Sequence, residues 1–504
     1  MTDPKPSPAH ALPLRPAASS IIICRGDGRD GSLRLLWVRR SEANPFLGGF
    51  HSFPGGRHAR EDGNLGTDEA ENLRIMARCA ARETFEETGL LLGFKGRPPG
   101  IDAQRRVRTE VLAGELEFWP TVATWGLELD YGAYVWCGRW ITPHFSRARF
   151  NTNFFMIDLP DTPPTDVWPG ELESGGWIDP REAARLWDGD QIVLAMPTLY
   201  TIRVLAEGGH DLPARLHAIP EANGVASRHV DVRPAITMTP LKTETIPPAS
   251  HTNAVVVGDG DVVVIDPGSA DAGEQDALDA VVRNALGPGG KVRAILLTHE
   301  HRDHVAGVEA ARARYGAPVW AHAGVGARVR LDRTLREGDV IELPGRHARR
   351  LRVLETPGHS RAHVIFHEET SRTAVVGDLV SGLGTVVIDP PDGNLSDYLA
   401  SLERLRALDL LTIVPGHGPP NRGVGRLIDA LVEHRRMREG RILHALAGGP
   451  LALEELRARA YADTPDADPR LAARTLAAHL EKLEAEAQVV VENGSVKLAA
   501  AQPS

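Results

Sequence analysis

The chain has few cysteines, and the three that it has lie within its first third. Cys24, Cys79 and Cys137 are an odd, sparse set, which fits buried thiols in a reducing cytoplasm better than disulfide bonds or a cysteine zinc site. The chain also lacks any apolar run close to the roughly 20 residues needed to cross a bilayer. No basic segment followed by an apolar one stands at its start, so we expect no secretory signal. These absences predict a cytoplasmic protein without a membrane partner.

An excess of basic charge is missing as well. The 504 residues carry a formal net charge of −10, so nucleic-acid binding would depend on a local patch and not on the overall field. Hydrophobic residues make up 42% of the chain, which is ordinary for a soluble globular protein. A chain of this length is expected to hold roughly two to four domains.

The sequence does contain a dense group of metal-binding side chains after an apolar run. Residues 292–297 predict a buried strand, and the pattern His-x-His-x-Asp-His follows it. The side chains of that pattern are His299, His301, Asp303 and His304. Neutral imidazole and carboxylate groups suit zinc, and a catalytic zinc needs three protein ligands and an open position. The first two side chains can reach one ion, while the last two reach a second ion beside it.

This pattern resembles the signature of the metallo-β-lactamase superfamily of hydrolases. The resemblance implies an αββα sandwich that usually binds two metal ions. Other matches also follow short apolar runs, so we expect each of them at the end of a strand. The implied ligands are His299, His301 and His359 for one zinc, Asp303, His304 and His417 for the other, and Asp378 between the two. Asp266 would support the metal loop from outside the ligand set.

The same resemblance implies a hydrolytic mechanism. Two zinc ions close together lower the pKa of a shared water, which provides hydroxide near pH 7. Asp303 would orient this hydroxide and accept its proton. His363 would keep a polar group near the substrate, unless it is a satisfied structural histidine. We expect the helix after the metal loop to begin at Val305, with its N-terminal amides adding positive potential to the site.

A group of acidic side chains lies nearer the start of the chain. On a helix that continues the helix-favouring run 69–80, Glu83 and Glu87 share a face with Glu86. Packed like charges repel unless a cation neutralises them, and hard divalent ions take oxygen ligands. We therefore predict that the three glutamates bind Mg²⁺ or Mn²⁺ and that Glu87 also acts in catalysis. The alternative is an exposed acidic helix on an inactive scaffold.

The stretch Arg82–Leu90 resembles the second half of the Nudix box, Arg-Glu-U-x-Glu-Glu-x-Gly-U, of hydrolases that cleave a nucleoside diphosphate linked to another group. Thr84 stands where an aliphatic residue is usual. The first half departs from the pattern, because Asp62 replaces a glutamate and 19 residues (63–81) separate it from Arg82 where the box has seven. A stretched box is similar to that of the coenzyme A diphosphatase branch of the family.

Two further stretches, 139–143 and 149–155, are also similar to that branch. The Nudix resemblance covers about residues 18–205 and implies an α/β/α sandwich. Whether the altered half-box still supports turnover is left open by the sequence.

The last segment, residues 421–504, is predicted to be helical and then to form a hairpin over 489–498 around an Asn-Gly turn. The segment resembles the C-terminal winged-helix part of the LACTB2-like branch of the superfamily, some of whose members cut single-stranded RNA. Its Lys plus Arg count, 12, equals its Asp plus Glu count, 12, which argues against a strong phosphate-binding surface. An Arg-rich helix over 425–445 could still form one, and the alternative is a structural cap.

The sequence thus predicts an α/β multidomain protein. The expected segments are a loose tail over 1–17, a Nudix-like α/β/α sandwich over 18–230, a metallo-β-lactamase αββα sandwich over 235–420 and a small helical, winged-helix-like segment over 421–504. We expect two Zn²⁺ in the third segment and Mg²⁺ or Mn²⁺ in the second. The favoured function is hydrolysis of small metabolites such as thioesters, nucleotides or coenzyme A derivatives. The alternatives are a single-strand RNA endoribonuclease, with RNA as a less favoured partner, and a Nudix half that only senses a nucleotide; the oligomeric state is left open.

Overall fold

The computed structural model describes residues 13–24, 33–44, 47–143, 146, 148–465 and 468–499. The chain divides into two compact units, Met1–Pro234 and Ala235–Ser504. Residues 1–12 of the predicted tail, which was expected to span 1–17, lie outside the described residues. Beyond that point the prediction was wrong, because Leu14 already begins a strand that pairs in register with residues 149–159.

The first unit is a mixed sheet with helices on both faces. Its strands are β1 (Leu14–Cys24), β2 (Arg34–Arg40), β3 (His51–Ser52), β4 (Gly55–Arg57), β5 (Phe94–Lys95), β6 (Glu128–Leu129), β7 (Val135–Ile141), β8 (Arg149–Leu159), β9 (Leu172–Ile178) and β10 (Val230–Arg233). Its helices are α1 (Glu69–Thr88), α2 (Ile101–Leu112), α3 (Phe118–Thr124), α4 (Pro180–Asp188), α5 (Met196–Glu207) and α6 (Leu212–His217). The main sheet has the order β3-β2-β1-β8-β7, with β4 paired to β1 and β9 paired to β2.

The central strand β1 shows why this unit has two helical layers. Successive residues of a strand point to opposite faces of the sheet. Ile21 and Ile23 pack into one apolar cluster with residues of α4, α5 and α6, whereas Ile22 packs into another with residues of α1. The α/β/α sandwich predicted for this part of the chain is therefore confirmed.

The second unit contains two larger sheets and a small one. Its strands are β11 (Ile236–Lys242), β12 (His251–Val257), β13 (Val262–Ile265), β14 (Val292–Leu296), β15 (Val319–His322), β16 (Arg333–Leu335), β17 (Val340–Leu343), β18 (Arg349–Glu355), β19 (Val364–Glu368), β20 (Thr373–Gly377), β21 (Thr412–Pro415), β22 (Leu451–Ala452), β23 (Val489–Glu492) and β24 (Ser495–Leu498). Its helices are α7 (Ala272–Ala285), α8 (Arg302–Val305), α9 (Val308–Tyr315), α10 (Leu395–Arg406), α11 (Val424–Leu446), α12 (Leu453–Ala460) and α13 (Pro469–Ala485).

The two larger sheets are each covered by helices on one face. Strands β11 to β16 follow one another in chain order across the first sheet, and β17 to β21 do so across the second. All four residues of β13 are fully buried: Val262 and Val264 pack against α7 and α9, and Val263 and Ile265 are buried on the opposite face. A strand buried on both faces is continuously apolar, as the sequence of β13 is. The predicted αββα sandwich is confirmed.

The C-terminal segment packs in the same compact unit. Val424, Ile428 and Val432 of α11 join the apolar cluster that covers the second sheet. Helices α11 to α13 surround a three-stranded sheet of order β22-β24-β23. Asn493 and Gly494 have φ values of 49° and 78°, which matches the predicted hairpin turn. Among the described residues, none of the helices is both long and apolar enough to span a membrane.

Candidate metal centre

Parallel strands bring the predicted metal ligands to one edge of each sheet. Strand β13 pairs in parallel with β14, so Asp266 and Thr298 follow at neighbouring strand ends. Strand β20 pairs in parallel with β21, which places Asp378 and the loop of His417 side by side. Because the C-terminal ends of parallel strands meet at the same edge, residues far apart in the chain converge there.

One group of three histidines matches the first predicted ligand set. The ligand atoms of His299, His301 and His359 all lie within 4.8 Å of one another. Nε2 of His359 is 2.9 Å from Nδ1 of His301. His299 is fully buried, whereas the side chain of His301 is 36% exposed, so this group opens to solvent on the His301 side.

A second group matches the other predicted set. The ligand atoms of Asp303, His304 and His417 lie within 4.8 Å of one another, with Nε2 of His417 at 3.4 Å from Oδ2 of Asp303. Asp378 lies between the two groups. Its Oδ1 is 3.3 Å from Nε2 of His304, and its Oδ2 is 3.3 Å from Nε2 of His417 and 3.6 Å from Nε2 of His359. The structure thus brings all seven predicted ligands together.

The outer nitrogen of three of these histidines is held by an acceptor on the protein. Nδ1 of His304 lies 2.9 Å from Oδ2 of Asp266. Nδ1 of His359 lies 2.9 Å from the Val387 carbonyl oxygen, and Nδ1 of His417 lies 2.8 Å from the His251 carbonyl oxygen. An acceptor at Nδ1 fixes the proton on that nitrogen, so the Nε2 lone pair points into the site.

Asp266 supports the metal loop as the sequence predicted. Its Oδ1 accepts a hydrogen bond of 2.8 Å from the Thr298 N–H, and its Oδ2 accepts one of 2.6 Å from the Thr298 hydroxyl. The residue is 1% exposed and has a φ of 50°, in the left-handed region where Asp and Asn are the best tolerated residues other than Gly. One carboxylate therefore fixes both the start of the loop and the ring of His304.

The donor set fits divalent cations. Among the described residues, Nε2 of His299, Nε2 of His304 and Oδ1 of Asp378 are buried and lack a hydrogen-bond partner. Inward lone pairs of His304 and His417 face the Asp378 carboxylate, an arrangement that needs positive charge between the atoms. Three nitrogen donors on one side, and two nitrogens with a carboxylate on the other, are ligand sets that suit zinc.

Burial and neighbouring charges shift the pKa values of the side chains in the site in different directions. Burial lowers the pKa of His299 well below its usual value, and it lowers the pKa of His359 to about 4. Burial also acts against protonation of His304, but the Asp378 and Asp266 carboxylates outweigh it and raise the pKa of that ring. His417 and His304 hold the pKa of Asp378 well below its usual range, against the effect of burial. His299 and His359 are thereby kept neutral and available as ligands, whereas the carboxylates beside His304 and His417 raise the pKa of those two rings and favour a positive charge there, as a bound cation would supply.

The expected helix start at Val305 was wrong. Helix α8 spans Arg302–Val305, and the His304 N–H donates to the His301 carbonyl over 2.9 Å. The ligand loop itself closes this helical turn, which places Asp303 and His304 inside the helix. The next helix, α9, begins only at Val308.

His363 is buried beneath the metal ligands. Its Nδ1 lies 2.9 Å from the Thr356 hydroxyl, and its Nε2 accepts a hydrogen bond of 3.2 Å from the Asp378 N–H. Burial lowers the pKa of this ring well below its usual value, which keeps Nε2 as an acceptor. With both nitrogens in contact with protein groups, His363 is placed to hold the backbone of Asp378, and its predicted role near the substrate stays a prediction.

In the first unit, Arg82 organises the acidic end of α1. Its Nη1 donates to Glu83 at 3.0 Å and to Glu86 at 3.1 Å, while its Nε and Nη2 each donate to Asp62 at 2.9 Å. Asp62 therefore takes the place of the glutamate of the box, despite the 19 intervening residues. Thr84, at the usually aliphatic position, is buried and donates to the Ala80 carbonyl over 2.7 Å, so its hydroxyl is satisfied.

The carboxylates of Glu87 and Glu83 face strand β4. Oε2 of Glu87 accepts a hydrogen bond of 2.9 Å from the Gly55 N–H. Gly56 lies so close to Glu83 that a Cβ there would come within 2.3 Å of Oε2. Burial raises the pKa of Glu83 to about 7 and that of Glu87 well above its usual value. A cation would lower both values, and it would also offset the negative C-terminal end of α1, whose last turn has no basic residue.

The three glutamates nevertheless do not form a tight ligand group. Within the described part of the chain, sets of three or more acidic or histidine side chains with ligand atoms within 4.8 Å of one another occur only in the histidine-rich site. The Glu86 carboxylate is engaged by Arg82. Binding of Mg²⁺ or Mn²⁺ by Glu83, Glu86 and Glu87 stays a prediction.

Several supporting groups had no signal in the sequence. The carbonyl oxygens of Val387 and His251 orient two histidines, and a backbone carbonyl is common to every residue type. Asp392 places Oδ2 at 3.7 Å from Nε2 of His301, opposite the inward Nδ1.

Comparison with known proteins agrees with this architecture. Residues 247–417 match the metallo-β-lactamase superfamily, residues 65–205 match the NUDT19 Nudix domain, and residues 452–497 match the β-lactamase-associated winged helix domain. These three matches follow one another along the chain in the order that the sequence predicted.

Three curated relatives illustrate the similarity. A hydroxyacylglutathione hydrolase from Cereibacter sphaeroides is 34% identical over 185 residues, which are 35% of this chain and 67% of that protein. One from Methylobacterium nodulans is 39% identical over 142 residues, which are 27% of this chain and 53% of that protein. The beta-lactamase-like protein 2 homolog of Caenorhabditis elegans is 28% identical over 226 residues, 42% of this chain and 72% of that protein. The chain thus spans between about half and three quarters of the length of these relatives, and it belongs to the metallo-β-lactamase superfamily of hydrolases, with a Nudix domain and a β-lactamase-associated winged helix domain in the same polypeptide.

Proposed function

We propose that the second unit is a two-metal hydrolase that cleaves a thioester of a small metabolite. The observation that carries this proposal is the pair of ligand groups joined by Asp378, each with buried donor atoms directed inward. The thioester class is supported by the relatives named hydroxyacylglutathione hydrolases. Zinc is the cation that this set of imidazole and carboxylate donors suits best.

The side chains of the site would have three different roles: holding the ions, orienting water and supporting Asp378. His299, His301 and His359 would hold one ion, and Asp303, His304 and His417 the other, with Asp378 in contact with both. Divalent ions bound there would polarise a carbonyl oxygen and lower the pKa of water. Asp303 would orient the attacking water and accept its proton at a carboxylate oxygen. His363 would hold the Asp378 backbone through Nε2, which keeps the shared carboxylate in place.

We also propose that the first unit hydrolyses a diphosphate linkage with Mg²⁺ or Mn²⁺. The specific observation that supports this is the buried pair of Asp62 with Arg82, which joins the altered first half of the box to its second half. Glu83 and Glu87, both facing β4, are the carboxylates whose charges need a cation most. Coenzyme A and nucleotide derivatives are the substrate class that the resemblance implies.

A substrate panel tests both proposals in the full-length protein. With Zn²⁺, release of thiol from a hydroxyacyl glutathione thioester is expected, and His301→Ala should abolish it. His444→Ala, a change of an exposed histidine on α11, is the matched control and should retain activity. Cutting of single-stranded RNA without thioester turnover would overturn the first proposal in favour of an endoribonuclease.

The Nudix arm of the panel uses coenzyme A and nucleoside diphosphate derivatives with Mg²⁺. Glu87→Gln is expected to abolish turnover, whereas Glu69→Gln, an exposed change at the start of the same helix, should not. If the panel compounds bind but are not hydrolysed, the first unit is a ligand sensor and the second proposal is wrong.

A further inference from the structure

The segment between β20 and α10 contacts two predicted metal ligands. The Val387 carbonyl accepts a hydrogen bond from Nδ1 of His359. Asp392, five residues further on, lies 3.7 Å from Nε2 of His301. One short stretch of chain therefore sets the outer side of two histidines that belong to the same ligand group.

The same stretch is held from its other side by the C-terminal helices. Nη2 of Arg435, on α11, donates a hydrogen bond of 2.5 Å to the carbonyl of Val386, the residue before Val387. Nη1 of Arg474, on α13, lies 3.2 Å from Oδ2 of Asp389. The C-terminal segment thus reaches the loop that orients His359 at two points.

The charge of Arg435 is buried. The residue is 1% exposed, and its guanidinium carbon lies 5.4 Å from the centre of the Tyr398 ring on α10. Desolvation of a guanidinium is costly and is offset only by well-formed contacts. The contacts that offset it here are the Val386 carbonyl and the aromatic ring, so the position of Val386 and the position of Arg435 depend on each other.

We propose that Arg435 is a positioning residue of the metal centre, and that through it the C-terminal segment sets the metal affinity of the site. By holding the Val386 carbonyl, Arg435 fixes the adjoining peptide so that the Val387 carbonyl accepts the hydrogen bond from Nδ1 of His359. Nε2 of His359 is then directed to the metal. The inference rests on the proposed two-metal site, and it assigns the C-terminal segment a role in positioning a ligand of that site in place of a role as an attached cap.

The chain offers a matched control three residues away on the same helix. Arg438 is 3% exposed, lies 4.1 Å from the Tyr461 ring and donates to the Ala460 carbonyl, so it repeats the environment of Arg435. It also pairs with Asp463 at 2.7 Å. All these partners lie within the C-terminal segment, so a change of Arg438 disturbs that segment without touching the loop of Val386.

The test is a titration of the metal-free full-length protein with Co²⁺, followed by the visible absorption of the bound ion. Arg435→Met is expected to weaken Co²⁺ binding about 10-fold, as loss of an outer contact to a ligand does in metal sites. Arg435→Lys, which keeps a cationic donor, should recover most of the affinity. Arg438→Met should bind Co²⁺ as the wild type does.

Three results would overturn the proposal. They are wild-type affinity in Arg435→Met, an equal loss in Arg435→Met and Arg438→Met, and no recovery in Arg435→Lys. A wild-type protein that binds no Co²⁺ would instead show that the proposed function itself is wrong. Thermal unfolding of each metal-free variant shows whether it is folded. If Arg435→Met does not fold, the second variant is Arg474→Ala, which changes a half-exposed side chain. It is expected to weaken Co²⁺ binding about two- to fivefold. Unchanged Co²⁺ affinity in Arg474→Ala also overturns the proposal.

Discussion

Asp62 and Arg82 form a buried, two-point ion pair, with Oδ1 of Asp62 at 2.9 Å from Nε of Arg82 and Oδ2 at 2.9 Å from Nη2. Their side chains are 0% and 5% exposed. The indole N–H of Trp119 also donates to Oδ1 over 3.0 Å. Because removal of one member leaves an uncompensated buried charge, this pair is expected to matter far more than a surface ion pair.

We therefore expect Asp62→Ala to lower the free energy of unfolding of the first unit by about 3–5 kcal/mol. Urea unfolding followed by tryptophan fluorescence measures this, since Trp320 is the single tryptophan after residue 234. Glu71→Ala, which breaks an exposed pair with Arg74 at 3.6 Å, is the control and should cost less than about 0.5 kcal/mol. Equal effects of the two changes would contradict the prediction.

Asp266→Asn is expected to weaken Zn²⁺ binding to the second unit about 10- to 100-fold. The amide keeps the size of the side chain and its tolerance of a positive φ, but its NH₂ group replaces an oxygen that accepts from Thr298 or His304. Calorimetric titration with Zn²⁺ measures the effect. Asp261→Asn changes an aspartate that accepts a backbone N–H from Lys291, away from the predicted ligands, and should bind Zn²⁺ normally.

Gly358→Ala is expected to destabilise the second unit by about 2–4 kcal/mol. Gly358 has a φ of 135°, and a Cβ there would lie 2.3 Å from the backbone N of Tyr398 at the start of α10. The control is Gly440→Ala in the middle of α11, where a Cβ meets nothing within 4 Å and should add about 0.5–1 kcal/mol of stability. Pulse proteolysis of the full-length variants in urea compares the two, with the amount of surviving fragment 235–504 as the measure of folded second unit. Equal stability of both variants would contradict the steric argument.

The stability of the C-terminal segment is expected to fall on mild acidification because of His479. Burial lowers the pKa of this ring, aided by the charges of Arg435 and Arg438 and opposed by Glu439 at 3.5 Å. Below the unfolded pKa of about 6.5 the unfolded chain binds a proton that the folded chain does not, so stability falls as the pH drops from there through the folded pKa. The slope from this one group is at most about 1.4 kcal/mol per pH unit.

The unfolding free energy of the second unit is measured at pH 7 and at pH 5, in the wild type and in His479→Leu. The variant should lose less stability than the wild type over this interval. His444→Leu, at an exposed position of α11, should follow the wild type. If His479→Leu keeps the full wild-type slope, then His479 is not the group responsible.

The sequence alone was enough to predict the order of the domains and the identity of the side chains that converge. Every ligand of the second unit follows a short apolar run, and a strand end is a local property that residue periodicity reveals. The strand before the histidine-rich loop and the hairpin turn at Asn493 were predictable for the same local reason. The chemistry of imidazole and carboxylate side chains then restricts what such a cluster can bind.

Only the tertiary structure decided what holds those side chains in place. The carbonyls of Val387 and His251 have no residue-type signature, and they reach His359 and His417 only because folding brings together residues that lie 28 and 166 positions apart in the chain. The bond of Asp62 to Arg82 likewise depends on how a stretched loop returns to α1. Hydrogen bonds between distant groups follow from packing and not from local pattern, which is why the sequence could predict which side chains converge but not the groups that support them.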